Sequence, residues 1–375
     1  DPARVPAGGR GSASGCGLMN AGSRLDGLVL VVGAGLLGTS IGLALRRAGV
    51  DVALDDVDGD NLHVAVERGA GTRLQAGDAP VLVVVACPPR HASHVLADMS
   101  QRFPLASLTD VTSIKAPVIA QAIALGADPQ RLVGGHPMAG REVSGPAAAR
   151  ADLFDDRLWI ITPAQATSDH VMQVHRLVST CGGYAVDMTA TEHDLAVALV
   201  SHAPQVVSSA LAAQLVDADT SHVRIAGQGL RDMTRIAASQ APMWNDILEV
   251  NGGPVADILD RLAHDLQATA MALRAGEQAE IATLLASGAA GQARIPGKHG
   301  AAAERYAEVT VQLADRSGEL ARMFLAASDA EVNVEDVRIE HVLGRPSGLV
   351  SLFVSPETGV SLADALRARE FDVRS

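Results

Sequence analysis

Three clusters of residues in this 375-residue chain have types and spacings that can do chemistry. The first is a glycine triplet, Gly33, Gly35 and Gly38, spaced G-x-G-x-x-G within VVGAGLLGTS. That spacing suits a dinucleotide. The first glycine permits a tight turn, the second lets the backbone approach a pyrophosphate at a helix N-terminus, and the third allows close helix–strand packing. Leu36 and Leu37, which follow the turn, complete this cofactor-binding set. The triplet follows a β-branched run and opens an amphipathic stretch, which is the setting the motif requires. The second cluster is LDDVDGD, which puts Asp55 and Asp56 about twenty residues downstream, where an acid accepts hydrogen bonds from ribose hydroxyls. No Arg or Lys lies in 55–62 to hold a 2′-phosphate, so NAD is expected rather than NADP. Asp56 is the first choice, since counting back from the next helix makes it the last residue of the strand, and Asp55 is the alternative.

The third cluster is spread over TDVTSIK (109–115) and GGHPMAGREVSG (134–145). A histidine such as His136 titrates near working pH, and in its neutral form can take a proton from an alcohol as hydride leaves. Ser113 suits either a hydrogen bond to His136 or substrate, or a helix N-cap. No His, Cys and carboxylate group has metal-ligand spacing, so no metal is expected.

These residues need a scaffold that brings strand ends together. From Gly27 to about Asp187, LVLVV (28–32), VAL (52–54), VLVVVA (81–86), SLTDV (107–111), RLVGG (131–135), LWIIT (158–162) and YAVDM (184–188) read as strands between helical stretches. Continuous apolar strands alternating with helices predict an α/β fold with a doubly wound parallel sheet, in which ligands sit at the carboxyl ends of the strands. Residues 25–190 are therefore read as a Rossmann-type dinucleotide-binding domain. Strand signals vanish over 191–286, which reads as an all-helical domain rich in Ala and Leu. Gly- and Ala-rich 287–303 reads as a linker, and 304–375 as a ferredoxin-like β-α-β-β-α-β unit. Residues 1–24 lack an apolar signal core and read as a disordered extension, with Met19 as a possible start.

Composition narrows the function classes. A formal net charge of −13 argues against nucleic acid or an anionic membrane as partner, since both select basic surfaces. Aromatic residues make up only 2%, so the cores must be built from Ala, Val, Leu and Ile. Cys16, Cys87 and Cys181 are an odd, scattered set that fits a reducing cytoplasm. No uninterrupted apolar run approaches the roughly 18 residues of a membrane span.

GAGLLGTS, TDVTSIK and HPMAGREVSG, in that order, resemble the prephenate/arogenate dehydrogenase family. The resemblance continues through EHDLAVALVSHAPQ (192–205) and GLRDMTRIAASQAPMWNDI (229–247), covering roughly residues 28–290. It implies NAD-dependent oxidative decarboxylation, with prephenate or arogenate as substrate and a dimer built on the helical region. In that pattern His136 takes the proton of the ring hydroxyl, with Ser113 near the hydroxyl and the nicotinamide. Arg235 grips the ring carboxylate, for which its planar fork is suited, and Asp232 and Glu142 are acids near it. Asp232 and Arg235 also suit a plain i,i+3 helix pair. Trp244 lies close to the pocket. Pro204 is expected to kink its helix beside Ser201 and His202. Gln205 departs from the family's SHLPH by replacing a histidine that helps bind the substrate side chain, which leaves the side-chain preference open. His193 is expected to be a satisfied helix histidine.

The C-terminal unit resembles an ACT domain through the segment Asp315–Leu320 and through Asn333. That resemblance implies an effector site at Arg316, Gly318, Leu320 and Asn333, with tyrosine as the expected ligand. Two rival readings are a 3-hydroxyacid dehydrogenase and a non-enzymatic NAD and amino-acid sensor. The first would place a lysine in the helical domain, and the only lysines are Lys115 and Lys298. The second has no need of His136, Ser113 and Arg235 together.

Overall fold

The computed structural model describes residues 25–140, 143–239, 241–295, 306–341 and 347–374. Eight strands form one sheet: β1 (Val29–Val32), β2 (Val52–Asp55), β3 (Thr72–Arg73), β4 (Leu82–Val85), β5 (Ser107–Asp110), β6 (Leu132–Pro137), β7 (Leu158–Thr162) and β8 (Tyr184–Asp187). Their order is β3-β2-β1-β4-β5-β6-β7-β8. Alternate residues of the apolar strands feed two separate cores. Val29, Val31, Leu82 and Val84 pack into one, and Leu30, Val83 and Val85 into the other. A strand buried on both faces needs a continuous apolar run, which is what these strands have. Each fully buried Val or Leu contributes about 1.5–3 kcal/mol.

The first helices are α1 (Leu36–Arg47), α2 (Gly59–Glu67), α3 (Pro89–Arg102), α4 (Ala116–Ala124) and α5 (Ser168–Thr180). Two details depart from the sequence expectation. The two-residue β3 was not foreseen, being too short to carry a periodic signal. The sheet is also not wholly parallel, because β7 runs antiparallel to β6. A parallel return needs a crossover, usually a helix. Between β6 and β7 the described residues hold only the 3₁₀ turn Pro146–Ala148.

Past β8 the chain is helical. α6 (Ala190–Val197) begins with a capping box, in which Thr189 accepts from the Glu192 N–H and the Glu192 carboxylate accepts from the Thr189 N–H. A π-helical turn, Ala198–His202, leads into α7 (Ala203–Ala213), with Pro204 in the first turn of α7. The missing proline N–H thus falls where the helix has already widened. By length and mean hydropathy alone, Ala190–Ala213 is long and apolar enough to cross a membrane, although polar residues interrupt it throughout. Its buried residues nevertheless include His193, Asp194, His202 and Gln205. Longer helices follow at Gly252–Ala275 and Gln278–Gln292. The second of these occupies the first part of the expected 287–303 linker, since Ala-rich sequence extends a helix readily.

The C-terminal strands are β9 (Ala307–Ala314), β10 (Val334–His341), β11 (Ser347–Val354) and β12 (Asp372–Arg374). They form an antiparallel sheet of order β10-β11-β9-β12, with helices Glu319–Asp329 and Gly359–Ala368 between strands in β-α-β-β-α-β order. Val309, Val311, Met323, Leu352 and Leu362 fill its core. The chain divides into two compact units, Asp1–Asp217 with Thr234–Leu259 and Ala218–Met233 with Asp260–Ser375. The expected boundary at 190/191 therefore falls inside the first unit.

Candidate active site

The glycine loop between β1 and α1 fits a dinucleotide. Gly33 has φ +107°, and a Cβ there would lie 2.5 Å from the Ala86 carbonyl oxygen. A Cβ on Gly38 would lie 1.8 Å from the Gly33 oxygen, so only glycine lets α1 sit this close. Around Gly35 a Cβ would meet nothing within 4 Å, which leaves open space at the helix N-terminus for a phosphate. Leu36 and Leu37 form the first turn of α1, which carries no acid to repel an anion.

The strand β2 ends at Asp55, not Asp56, one residue earlier than the count back from the next helix predicts. Asp55 lies 3.8 Å from Arg102, the last residue of α3. Asp56 faces the glycine loop instead, where its carboxylate accepts from the Ala34 N–H and, at 2.7 Å, from the Asp58 N–H. Asp58 then caps α2 by accepting from the N–H groups of Asp60 and Asn61. Asp56 thus has the better position for a ribose, and the acidic run suits NAD.

His136 lies near the end of β6 and is partly exposed. Its Nδ1 is 2.8 Å from Nε2 of His193 on α6, and the two rings meet edge to face with centroids 5.1 Å apart. His193 is fully buried, and its Nδ1 is 2.7 Å from Asp194 Oδ1. The Asp194 carboxylate also accepts from the backbone N–H groups of Lys115 and Ala116, each at 2.8 Å. His193 is thus the satisfied helix histidine that the sequence suggested, with both ring nitrogens engaged. It lies between His136 and a buried carboxylate. Burial, with His193, Lys115 and His202 nearby, pushes the His136 imidazole well below its usual range. It is consequently neutral near pH 7 and holds a free lone pair.

Beneath this chain, Lys115 is wholly buried. Its ammonium donates to the Asp110 carboxylate, to Thr112 Oγ1 (3.0 Å) and to the Gly135 carbonyl (2.8 Å). Burial lowers the Lys115 pKa, while Asp110 opposes that shift. The pair joins the end of β5 to the residue preceding His136. Ser113 lies on the same loop, but it does not cap α4, whose N-cap position is Lys115. The Nδ1 bond of His136 goes to His193, not Ser113.

Ser201, Gln205 and Trp244 line a cleft of about 370 Å³, together with Gly140, Ser144 and Met243. The Gln205 amide donates to the Ile236 carbonyl at 3.0 Å, and Ser239 Oγ donates to its Oε1 at 3.5 Å. Trp244 stands edge to face with His202, ring centroids 6.0 Å apart, and its buried Nε1 has no partner among the described residues. His202 is buried behind the cleft wall, where Nδ1 is 3.0 Å from the Asn251 amide, and burial pulls its pKa down to about 4. Arg235 is exposed and opens the 3₁₀ turn Arg235–Ala238, whose Ile236 lines the cleft. Asp232 accepts from Gln228 at 2.7 Å on its own helix. Glu142 lies outside the described residues. His193, Asp194, Lys115 and Asn251 were missed as site residues, although His193 and Asp194 stand in the EHDLAV segment already singled out.

Comparison with known proteins settles the family. Residues 41–187 match the model of the prephenate dehydrogenase nucleotide-binding domain, and residues 189–287 match the prephenate dehydrogenase dimerisation domain. A probable prephenate dehydrogenase of Streptomyces niveus, NovF, is 35% identical over 358 residues, covering 92% of this chain and 99% of the relative. The chain belongs to the prephenate dehydrogenase family. The prephenate dehydrogenase of Bacillus subtilis is 30% identical over 257 residues, covering 65% of this chain and 69% of that one. A crystal structure of prephenate dehydrogenase from A. aeolicus, in complex with hydroxyphenyl propionate and NAD+, superposes with a TM-score of 0.64. It is 26% identical, and the match covers 71% of this chain and 97% of that one. As a member of this family the chain is a dehydrogenase, and its Rossmann-type domain is the cofactor half.

In the C-terminal unit, Arg316 and Leu320 line a hollow of about 90 Å³ with Asp315, Glu319 and Ile339. Gly318, at φ +92°, turns the chain into helix Glu319–Asp329. Asn333 is not part of that lining, and its amide donates to Glu335. The effector residues expected from sequence therefore do not all converge.

Proposed function

We propose that this dehydrogenase oxidises and decarboxylates prephenate, using NAD, on the way to tyrosine. One observation carries the reading. His136 is neutral and partly exposed, its Nδ1 is already engaged, and its own HPMAG segment supplies Gly140 to the cleft. In this role His136 takes the ring hydroxyl proton at Nε2. When bound, NAD supplies the hydride acceptor. Ser113, on the loop held by Asp194, borders the hydroxyl. Arg235, next to the cleft-lining Ile236, offers a guanidinium fork for the ring carboxylate. Trp244 forms part of the wall. Loss of carbon dioxide makes the ring aromatic, so the residues need only position the substrate and stabilise charge.

A second substrate, arogenate, is favoured by Gln205. Its side chain is a neutral amide whose Nε2 is already bonded to the cleft wall, so it brings no cation to a pyruvyl carboxylate. NADH formation followed by absorbance with prephenate, arogenate or neither tests both readings. Turnover of neither compound would refute the assignment.

We also infer a homodimer in the cytoplasm. Helix Gly252–Ala275 exposes Leu266, Met271 and Leu273, and helix Gln278–Gln292 has no buried residue. Apolar helices left this open call for a partner surface. A monomer in light scattering would contradict the dimer. The hollow at Arg316 and Leu320 supports a ligand at the C-terminal unit, with tyrosine the proposed effector.

A further inference from the structure

The Asp194–His193–His136 chain has a direction. Asp194 is a carboxylate acceptor, so the proton between it and His193 sits on His193 Nδ1. With its one ring proton committed to Asp194, His193 presents a lone pair at Nε2 and accepts there, and on this arrangement the proton of the next bond sits on His136 Nδ1. His136 Nε2 is left bare. We propose that His193 and Asp194 are positioning residues for the dehydrogenation, fixing His136 in the tautomer that can accept a proton and spreading the resulting positive charge toward Asp194. This inference rests on the assignment of His136 as the base.

The step balances without another reagent. The substrate O–H bond breaks as an N–H bond forms at His136 Nε2. The His136 Nδ1 proton shifts to His193 Nε2, and His193, which keeps its Nδ1 proton, becomes an imidazolium against the Asp194 carboxylate. His136 ends neutral with its proton on the opposite nitrogen. The carbon-bound hydrogen leaves with its electron pair for the nicotinamide. A base in a low-dielectric site with Lys115 and His202 nearby is a weak proton acceptor on its own, so a paired carboxylate one ring away matters more than it would in water.

Asp194 serves a second purpose with the same group. By accepting from the Lys115 and Ala116 N–H groups, it fixes the loop that carries Ser113. One carboxylate thus holds the base and the neighbouring serine loop in a common frame. The groups that bear on this chain are His193 from α6, Lys115 and Asp110 from the β5–α4 region, and His202 with Asn251 behind it.

Nitrogen-15 histidine NMR on the full-length wild type reads the tautomer directly. The expected result is protonated Nδ1 and bare Nε2 on His136, and a His136 with Nε2–H would overturn the proposal. His193→Asn should lower kcat about 10²-fold or more, toward the cost of losing a general base, with the NAD KM unchanged. The acid limb of its kcat/KM profile should also move, which a purely structural loss would not produce. Asp194→Asn should keep part of the loop anchoring and show the same displaced limb. A His193→Asn enzyme with wild-type kcat and an unmoved acid limb overturns the inference, even if its Tm falls. Should that variant fail to fold, the wild-type tautomer decides. The expected tautomer in a chain that turns over neither compound supports the pairing and refutes only the substrate reading.

Discussion

The two halves of the active site are built by different means. The cofactor half is made of backbone: Gly33, Gly35 and Gly38 act through the side chains they lack, within six consecutive residues. The proposed catalytic half is made of side chains from the β5–α4 loop, β6 and α6, with His136 and His193 separated by 57 positions. A backbone site tolerates few alternatives at each position and so leaves a contiguous signature. A side-chain network can be assembled from many arrangements, so nothing in the local sequence announces it.

If the halves are independent, disabling one should spare the other. The largest effect is expected from His136→Asn, which should lose about 10²–10⁴-fold in kcat while NAD still binds. Near wild-type kcat would remove His136 as the base, and loss of NAD affinity would show that the halves are coupled. Lys115→Met should leave the buried Asp110 carboxylate without its ion pair and cost about 3–5 kcal/mol of stability in denaturant unfolding. A smaller loss would mean that the pair does little to hold β5 against β6.

The buried histidines sharpen the contrast through pH. In the folded state His136 is held well below the usual value and His202 at about 4, so the unfolded chain binds more protons once pH drops below the ordinary histidine range. Stability from keeping these groups neutral is complete above about pH 6.5 and is lost as pH falls toward 4. Melting temperature measured across that interval should decline, and His202→Asn should flatten part of the decline. In the cofactor half, Asp56→Ala should raise the NAD KM about tenfold, on the order of one charge-assisted hydrogen bond, without changing kcat. An equal effect from Asp55→Ala would assign the ribose to the wrong acid. Smallest of all, Arg316→Ala should weaken inhibition by tyrosine and leave uninhibited turnover intact. Unchanged inhibition would point to tyrosine acting at the active site.

Much of this protein was legible in its letters. Apolar runs marked seven of the eight strands of the large sheet, the glycine triplet marked the cofactor turn, and the C-terminal β-α-β-β-α-β order was correct. Each depends on local sterics or on a short hydrophobic period, which a linear sequence carries in full. Tertiary structure alone decided the rest. It turned β7 antiparallel because no described helix carries the chain back, and it extended helix Gln278–Gln292 into a stretch that read as linker. It aimed Asp56 at the glycine loop and Asp55 away. It also placed His193 between His136 and Asp194, where sequence alone saw one more helix histidine. A hydrogen bond between residues far apart in the chain depends on how helices and strands pack, and the residue types record only that such a bond is chemically available.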